Sequence, residues 1–297
     1  MIPEPAVSRR IVATHHAAAA PGFGGGREYH DNRYVYVFFS PRAGGLTLGI
    51  NLNPDRHCNF DCIYCEVRRH RAPANGEVDV EAMAGELTAL LERVHRGHLR
   101  DLAPFRDLPD ELLELKHVAL SGEGEPTLCP RFADAVQAIV HIRARGLFPF
   151  FKIALLTNGS VLDQAQVQSG LRHLIQKDEI WVKLDAGSSE VFEAVNHPQV
   201  PYERVLANIL ELGRHRPIIL QSLFPLINGE EPTAESLAEY MNRLRRLRDD
   251  GARIELVQIY SATRPTARSG CRHLPLKVLS GIAHQVREQT GLRVEVY

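Results

Sequence analysis

Three cysteines fall in one short run, Cys58-Asn59-Phe60-Asp61-Cys62-Ile63-Tyr64-Cys65. Thiolates at this spacing can each hold a different iron of a [4Fe–4S] cubane and leave the fourth iron without a protein ligand. An iron with an open position coordinates a reactant, whereas a closed four-cysteine site serves electron transfer or structure. The run therefore points to an enzyme. Zinc is the alternative, with His57 beside Cys58 completing a Cys3His set. Structural zinc sites, however, pair a Cys-x2-Cys knuckle with a second, distant pair, and the sequence has none.

The other cysteines, Cys129 and Cys271, belong to no second close-spaced group and read as small buried hydrophobes. An odd total of five in a 297-residue chain argues against a disulfide framework. With 44% hydrophobic and 24% charged residues the composition is that of a globular protein, and a net charge of −1 gives no global attraction to nucleic acid or membrane. No apolar run approaches the ~20 residues that span a bilayer. The alanines at 17–20 are too few and too interrupted for a signal-peptide core. A reducing, cytoplasmic location is expected, and an oxygen-sensitive cluster would need one. The adjacent His15 and His16 have no clear ligand geometry, and the arginines at 243–248 read as an exposed helix face.

These residues need a scaffold, and the pattern supplies one. Residues 1–33, with Pro, Ala and a Gly24-Gly25-Gly26 run but no periodicity, read as an extension, and 34–297 as one domain. A β-prone run, Tyr34 to Ser40, precedes strands expected at 46–53, 116–121, 151–157, 180–185, 217–223 and 253–260. Helices are expected at 79–96, 131–145, 162–175, 202–214, 232–249 and 275–290. Alternation of this kind is the mark of right-handed βαβ crossovers and a parallel α/β sheet, either an open or partial barrel or a doubly wound sheet. Period-two spacing puts Asn51 with Asn53, Trp181 with Lys183 and Asp185, and Gln258 with Tyr260 on common faces. Parallel strands are usually apolar on both faces, so repeated polar positions suggest a lined cavity.

The run Cys58-x3-Cys62-x-Tyr64-Cys65, following Leu48-Gly49-Ile50-Asn51-Leu52-Asn53-Pro54, resembles the cluster motif of radical S-adenosylmethionine enzymes. Leu120-Ser121-Gly122-Glu123-Gly124-Glu125-Pro126-Thr127 resembles that superfamily's glycine–glutamate motif, and Leu156-Thr157-Asn158-Gly159 its third-strand ending. Lys183-Leu184-Asp185-Ala186 and Gln258-Ile259-Tyr260-Ser261 fall where strands four and six belong. Within the superfamily the likeness is to the bacterial branch related to tRNA wyosine-base synthases, through Gly-Glu-Gly-Glu-Pro-Thr, Lys183 to Gly187 and Arg264-Pro265-Thr266-Ala267. Wyosine-forming members carry extra cysteines for a second cluster, and this sequence has none before Cys58, which argues against wyosine synthesis itself.

The resemblance implies a partial (β/α)6 barrel of parallel strands with an N-terminal extension. It implies a [4Fe–4S] cluster on Cys58, Cys62 and Cys65, with S-adenosyl-L-methionine on the open iron, cleaved reductively to a 5′-deoxyadenosyl radical that abstracts hydrogen from a substrate. Contacts to S-adenosyl-L-methionine are expected from Tyr64, Gly122, Glu123, Gly124, Glu125, Asn158 and Gln258. Glu125 is the choice for the methionyl ammonium and Glu123 the rival, because a carboxylate in a glycine-rich loop approaches a cation unobstructed. Lys183 and Asp185 are the candidate catalytic pair, orienting a polar substrate, or with Lys183 forming an imine if burial lowers its pKa. Implied partners are a one-electron donor such as flavodoxin or ferredoxin, a small-molecule, RNA or peptide substrate, and no membrane. The alternatives are an activase that installs a glycyl radical on a partner protein, and a non-catalytic iron–sulfur or zinc module that binds RNA or protein.

Overall fold

The structure, a computed structural model, describes residues 31–67, 77–102, 105–263, 265–267 and 270–297. Most of the N-terminal extension, His15 and His16, and Arg264 of the branch-specific segment lie outside the described residues. Six strands run parallel: β2 (Gly45–Ile50), β3 (Leu115–Leu120), β4 (Lys152–Thr157), β5 (Glu179–Lys183), β6 (Ile218–Leu223) and β8 (Ile254–Tyr260). They match the six expected strands within a few residues. Among the described residues the sheet nevertheless has eight strands, in the order β1-β2-β3-β4-β5-β6-β8-β10. The β-prone run becomes β1 (Val35–Ser40), antiparallel on the β2 edge, and β10 (Val294–Val296) extends the β8 edge in parallel. The strands curl into a half-barrel, so the partial-barrel expectation is met with one further strand on each side.

The crossover helices are α1 (Val80–His95), α3 (Phe132–Ala144), α4 (Ala165–Leu171), α6 (Tyr202–His215), α7 (Ala234–Asp249) and α8 (Leu276–Thr290). Asp79 caps α1 by accepting from the Ala82 N–H at 2.9 Å, and Thr233 caps α7 from the Ser236 N–H at 3.1 Å. Helix α4 is shorter than the expected 162–175. The backbone N–H groups of His173 and Leu174 bond three residues back, to Gly170 and Leu171, which tightens the chain into turns. Additional short elements are α2 (Asp110–Leu113), α5 (Ser189–Asn196) and a two-stranded sheet of β7 (Pro225–Ile227) and β9 (Cys271–His273).

Period-two alternation divides the apolar residues into two clusters. One, between the sheet and its helices, takes Ile180 and Val182 from β5 and Leu87, Val136, Leu244 and Leu279 from the helices. The other lies on the concave side, where Trp181, Ile219 and Leu256 pack with Leu156 and with Ala43 from the β1–β2 turn, making an apolar floor to the lumen. At the N-terminal ends of the strands Arg143 grips the buried Asp178 carboxylate through two N–H groups, at 2.5 and 3.0 Å. That carboxylate also accepts the Ile153 and Ile175 N–H groups, so removing Arg143 alone would strand a buried charge at a cost of about 3–5 kcal/mol.

Candidate metal and cofactor site

The cysteine run leaves the C-terminal end of β2 and is held from several sides. Asp61 and Ile63 donate backbone N–H bonds to the Asn196 and Val195 carbonyls of α5, and Ala267 donates to the Cys65 carbonyl at 2.7 Å. From the loop after β3, Glu125 N–H donates to the His57 carbonyl at 3.0 Å and Glu123 N–H to Asn51 Oδ1 at 3.2 Å. Glycine is required at two positions in that loop. A Cβ on Gly124 would stand 2.0 Å from the His57 carbonyl oxygen, and one on Gly122 would stand 2.4 Å from Asn51 Oδ1. The glycines thus let the two loops touch backbone to backbone.

Side-chain amides are aimed at the sulfurs. Asn196 Nδ2 lies 3.3 Å from Cys62 Sγ, Asn158 Nδ2 lies 3.8 Å from Cys58 Sγ, and the Phe60 N–H donates to Cys58 Sγ at 3.4 Å. Such donors suit thiolates that carry iron, since hydrogen bonds to sulfur tune a cluster's potential. Burial pushes the Cys62 thiol up and Asp185 adds to this, with Lys183 and the Asn196 and Tyr64 hydrogen bonds opposing. Among the described residues no three His, Cys, Asp or Glu side chains converge on the position of one ion, which a mononuclear Cys3His zinc site needs, and His57 is exposed. A cubane asks for less convergence, because each thiolate takes its own iron. The donor set therefore fits a cluster.

Glu125 is buried, and burial raises its carboxyl above the usual range against the pull of its hydrogen bonds. Its Oε1 accepts three donors, the Thr127 N–H and the hydroxyls of Thr127 and Thr157, at 3.2, 2.6 and 2.7 Å. Among the described residues its Oε2 accepts only the Asn158 N–H, at 2.7 Å, and keeps one acceptor direction. Glu123 is half-buried, with Oε2 at 3.6 Å from Arg56 Nε. Asn158 also donates to Asn59 Oδ1 at 2.8 Å, which ties the end of β4 to the cysteine run. Gln258 is in register with Gln221, which is in register with Lys183, and its Oε1 accepts from Gln221 Nε2 at 2.9 Å.

The Tyr64 ring turns into the barrel. Its hydroxyl donates to Asp185 Oδ2 and accepts from Lys183 Nζ at 2.8 Å. Asn196 Nδ2 reaches the same carboxylate oxygen at 2.8 Å, and Asp185 Oδ1 accepts the Leu223 N–H at 2.9 Å. Lys183 and Asp185 stand 3.6 Å apart. The phenol is held protonated, by burial first and the Asp185 charge second. Burial alone would lower the Lys183 pKa, as an imine-forming lysine needs, but Asp185 together with Tyr260 and Cys62 outweighs it and the net shift is upward.

Tyr64, Gly122 to Glu125, Asn158, Lys183 and Asp185 thus gather around the cysteines at the C-terminal ends of β2 to β5, while Gln258, two strands from Lys183 at the same level of the sheet, is hydrogen-bonded to Gln221. Asn59 and Asn196 were not foreseen. Asn59 lies inside the cysteine motif as an unremarked spacer, and Asn196 ends α5, a helix too short for the sequence to announce.

Comparison with known proteins agrees with this geometry. The model of the Radical SAM superfamily matches residues 52–241. A UPF0026 protein of Helicobacter pylori strain J99 is 25% identical, over 76% of this chain and 68% of the relative. An S-adenosyl-L-methionine-dependent tRNA 4-demethylwyosine synthase of Pyrococcus abyssi is 32% identical, over 41% of this chain and 33% of that protein. The solved structure of TYW1 with a lysine–pyruvate adduct bound shares the fold, with a TM-score of 0.56 at 15% identity, over 86% of this chain and 84% of the other.

Proposed function

We infer the activity from one premise: this chain belongs to the Radical SAM superfamily. It is proposed to be an enzyme in which Cys58, Cys62 and Cys65 hold a [4Fe–4S] cluster through three of its irons, with S-adenosyl-L-methionine beside them. When bound, the pair supplies one-electron cleavage of the C5′–S bond of S-adenosyl-L-methionine and so a 5′-deoxyadenosyl radical that takes hydrogen from a substrate carbon. The remaining work falls to the chain's own residues. Gly122 and Gly124 bring the glutamate loop against the cysteine loop, and the open direction of Glu125 Oε2 receives the methionyl ammonium. Asn158 and Asn196 donate to the thiolates and spread their negative charge. Lys183 and Asp185 orient a polar group of the substrate, and the Trp181, Ile219 and Leu256 floor keeps water from one end of the lumen.

The observation that carries this reading is the aim of two buried amides, from β4's end and from α5, at the sulfurs of Cys58 and Cys62. A small one-electron donor of the flavodoxin or ferredoxin kind is the proposed reductant, and the cytoplasm the proposed setting. Among the described residues no helix is long and apolar enough to cross a membrane.

Anaerobic reconstitution should load about four irons and four sulfides per chain. With dithionite, this protein should convert S-adenosyl-L-methionine to 5′-deoxyadenosine, and alanine at all three cysteines should abolish both properties. Stoichiometric zinc in protein purified without air, with no 5′-deoxyadenosine formed, would make the chain a structural module instead.

A further inference from the structure

Among the described residues four large hydrophobic side chains stand out into solvent: Leu147 (54% exposed), Phe150 (54%), Ile175 (45%) and Leu276 (58%). The first three belong to two loops, one between α3 and β4 and one between α4 and β5, and β4 and β5 are neighbours in the sheet. The loops touch at the N-terminal end of the barrel, where Lys177 Nζ lies 5.5 Å from the centre of the Phe150 ring. A six-residue strand, about 20 Å long, separates this surface from the cysteine end. Both loops are braced. Arg143 holds its Cζ 5.3 Å from the Phe150 ring centre and donates to the Phe151 carbonyl at 3.3 Å while gripping Asp178. Asp178 accepts the Ile175 N–H, and Arg216 donates to the carbonyls of Leu174, Ile175 and Asp178 at 3.4, 3.0 and 2.7 Å. Scattered exposed hydrophobics need no explanation, but three in one patch mark an interaction site. A braced backbone has less freedom to lose when that patch is covered.

The charge around the patch has one sign. Residues 144–151 contain Arg145 and no acid, and residues 171–177 contain Arg172, His173 and Lys177 and no acid. Arg145, Arg172 and Lys177 are exposed and form no ion pair among the described residues. The two acids that follow, Asp178 and Glu179, are engaged by Arg143 and by His117 and Lys152. Two neighbouring elements reach this end, α1 through His95 against the Phe148 ring and α6 through Arg216 at its C-terminus. Their acids here, Glu92 and Glu211, stand among Arg93, His95, Arg96, Arg214 and His215, with Glu211 facing His215 at 3.5 Å. An apolar centre with a cationic rim matches a protein surface that presents apolar side chains among carboxylates. RNA fits less well, because a base needs an open aromatic face and Phe150 already has two cations against its ring, while Leu147 and Ile175 offer a base no stacking. A fluid lipid surface would be drawn to the same cations, but it gains nothing from a braced patch.

We propose that Leu147, Phe150 and Ile175, rimmed by Arg145, Arg172 and Lys177, form a docking surface for a partner protein that presents an acidic segment carrying apolar side chains. The partner holds the barrel at the end opposite the cysteines and leaves the cysteine end uncovered. This surface is independent of the proposed radical chemistry.

The test places the photo-crosslinker benzoylphenylalanine at Leu147 of the full-length protein, irradiated in the cells that make it, with the same crosslinker at the exposed Leu276 as control. One dominant protein conjugate is expected from the first position and not from the second, joined through a segment richer in Asp and Glu than in Lys and Arg and carrying Leu, Ile, Val or Phe. A synthetic peptide of that segment should bind the purified wild-type protein saturably by fluorescence anisotropy, and added salt should weaken it several-fold. Arg145→Glu and Leu147→Ser should each weaken it about tenfold or more, with iron loading unchanged. Peptides with the acids changed to Gln, or with the apolar residues changed to Ser, should lose binding to wild-type protein, which decides the matter even where a variant fails to fold. No conjugate, an equal conjugate from Leu276, or a conjugate with RNA, lipid or a second copy of this chain would overturn the proposal. So would peptide affinity that is unchanged in the folded variants or in the altered peptides. Wild-type protein that docks the peptide but loads no iron would uphold the surface while removing the radical reading.

Discussion

Glu125 and Glu123 differ in what they can still accept, and this decides which should hold a cation. Oε1 of Glu125 is filled by three donors from its own surroundings, while Oε2 has one and room for another. Burial magnifies the value of any charge-assisted bond made there. Glu125→Gln keeps the acceptor oxygen and the shape but loses the charge, and should weaken S-adenosyl-L-methionine binding by about 1.5–3 kcal/mol, the range for hydrogen bonds to charged groups. Glu123→Gln, on a half-exposed acid facing Arg56, should change affinity by less than about 1 kcal/mol. Calorimetry on cluster-loaded variants reads both, and the reverse ranking would transfer the ammonium to Glu123. Asn196 makes a separate claim. Its N–H to Cys62 Sγ stabilises negative charge on sulfur, and such bonds raise a cluster's potential. Asn196→Leu should therefore shift the midpoint to a more negative value with iron content retained, measured by EPR-monitored titration; an unmoved potential would make Asn196 only a clamp on Asp185.

At the scale of elements, the strands with a buried face on both sides were legible because they read as short Ile, Leu and Val runs, and the long helices because their apolar residues recur at helical spacing. Helix α5 was not, since eight residues give too few turns for a period to show. The edge strand β10 is three residues long and carries no pattern of its own. The site was legible where a motif names its residues in sequence, and opaque where residues far apart meet: Asn196 stands 134 residues from Cys62, and only the fold sets its amide against that sulfur. Strand β5 shows how the concave face is held. Burial works against the charge on Glu179, yet bonds from His117, Lys152 and Trp181 outweigh it and lower the pKa to about 2. A carboxylate lowered in the fold adds stability above its ordinary pKa of about 4.5 and loses it as pH falls toward 2. Glu179→Gln should cost about 2 kcal/mol near neutrality, after allowance for solvent screening, and the gap to wild type should close between about pH 4.5 and pH 2. Urea unfolding at several pH values measures it; a gap constant with pH would mean that packing, not charge, sets the effect.

For the whole molecule, the cysteine run ties together segments far apart in the chain. Asp61 and Ile63 bond to α5, His57 to the loop after β3, Asn59 to the end of β4 through Asn158, and Cys65 to Ala267 beyond β8. A group bound at this junction but not by the unfolded chain must stabilise the entire barrel, by RT ln(1 + [L]/Kd). S-adenosyl-L-methionine at a hundred times its Kd would contribute about 2.7 kcal/mol. At roughly 2–4 °C per kcal/mol for a domain of this size, the unfolding midpoint should rise by about 5–10 °C. The rise should depend on the metal, because the proposed site for the methionyl group is half iron and half protein. Cluster-loaded wild type should show it under anaerobic scanning calorimetry, and the Cys62→Ala variant at the same ligand concentration should show little or none. An equal rise in Cys62→Ala would place S-adenosyl-L-methionine away from the cysteines, and the assignment of Glu125, Asn158 and the two glycines to its cradle would fall with it.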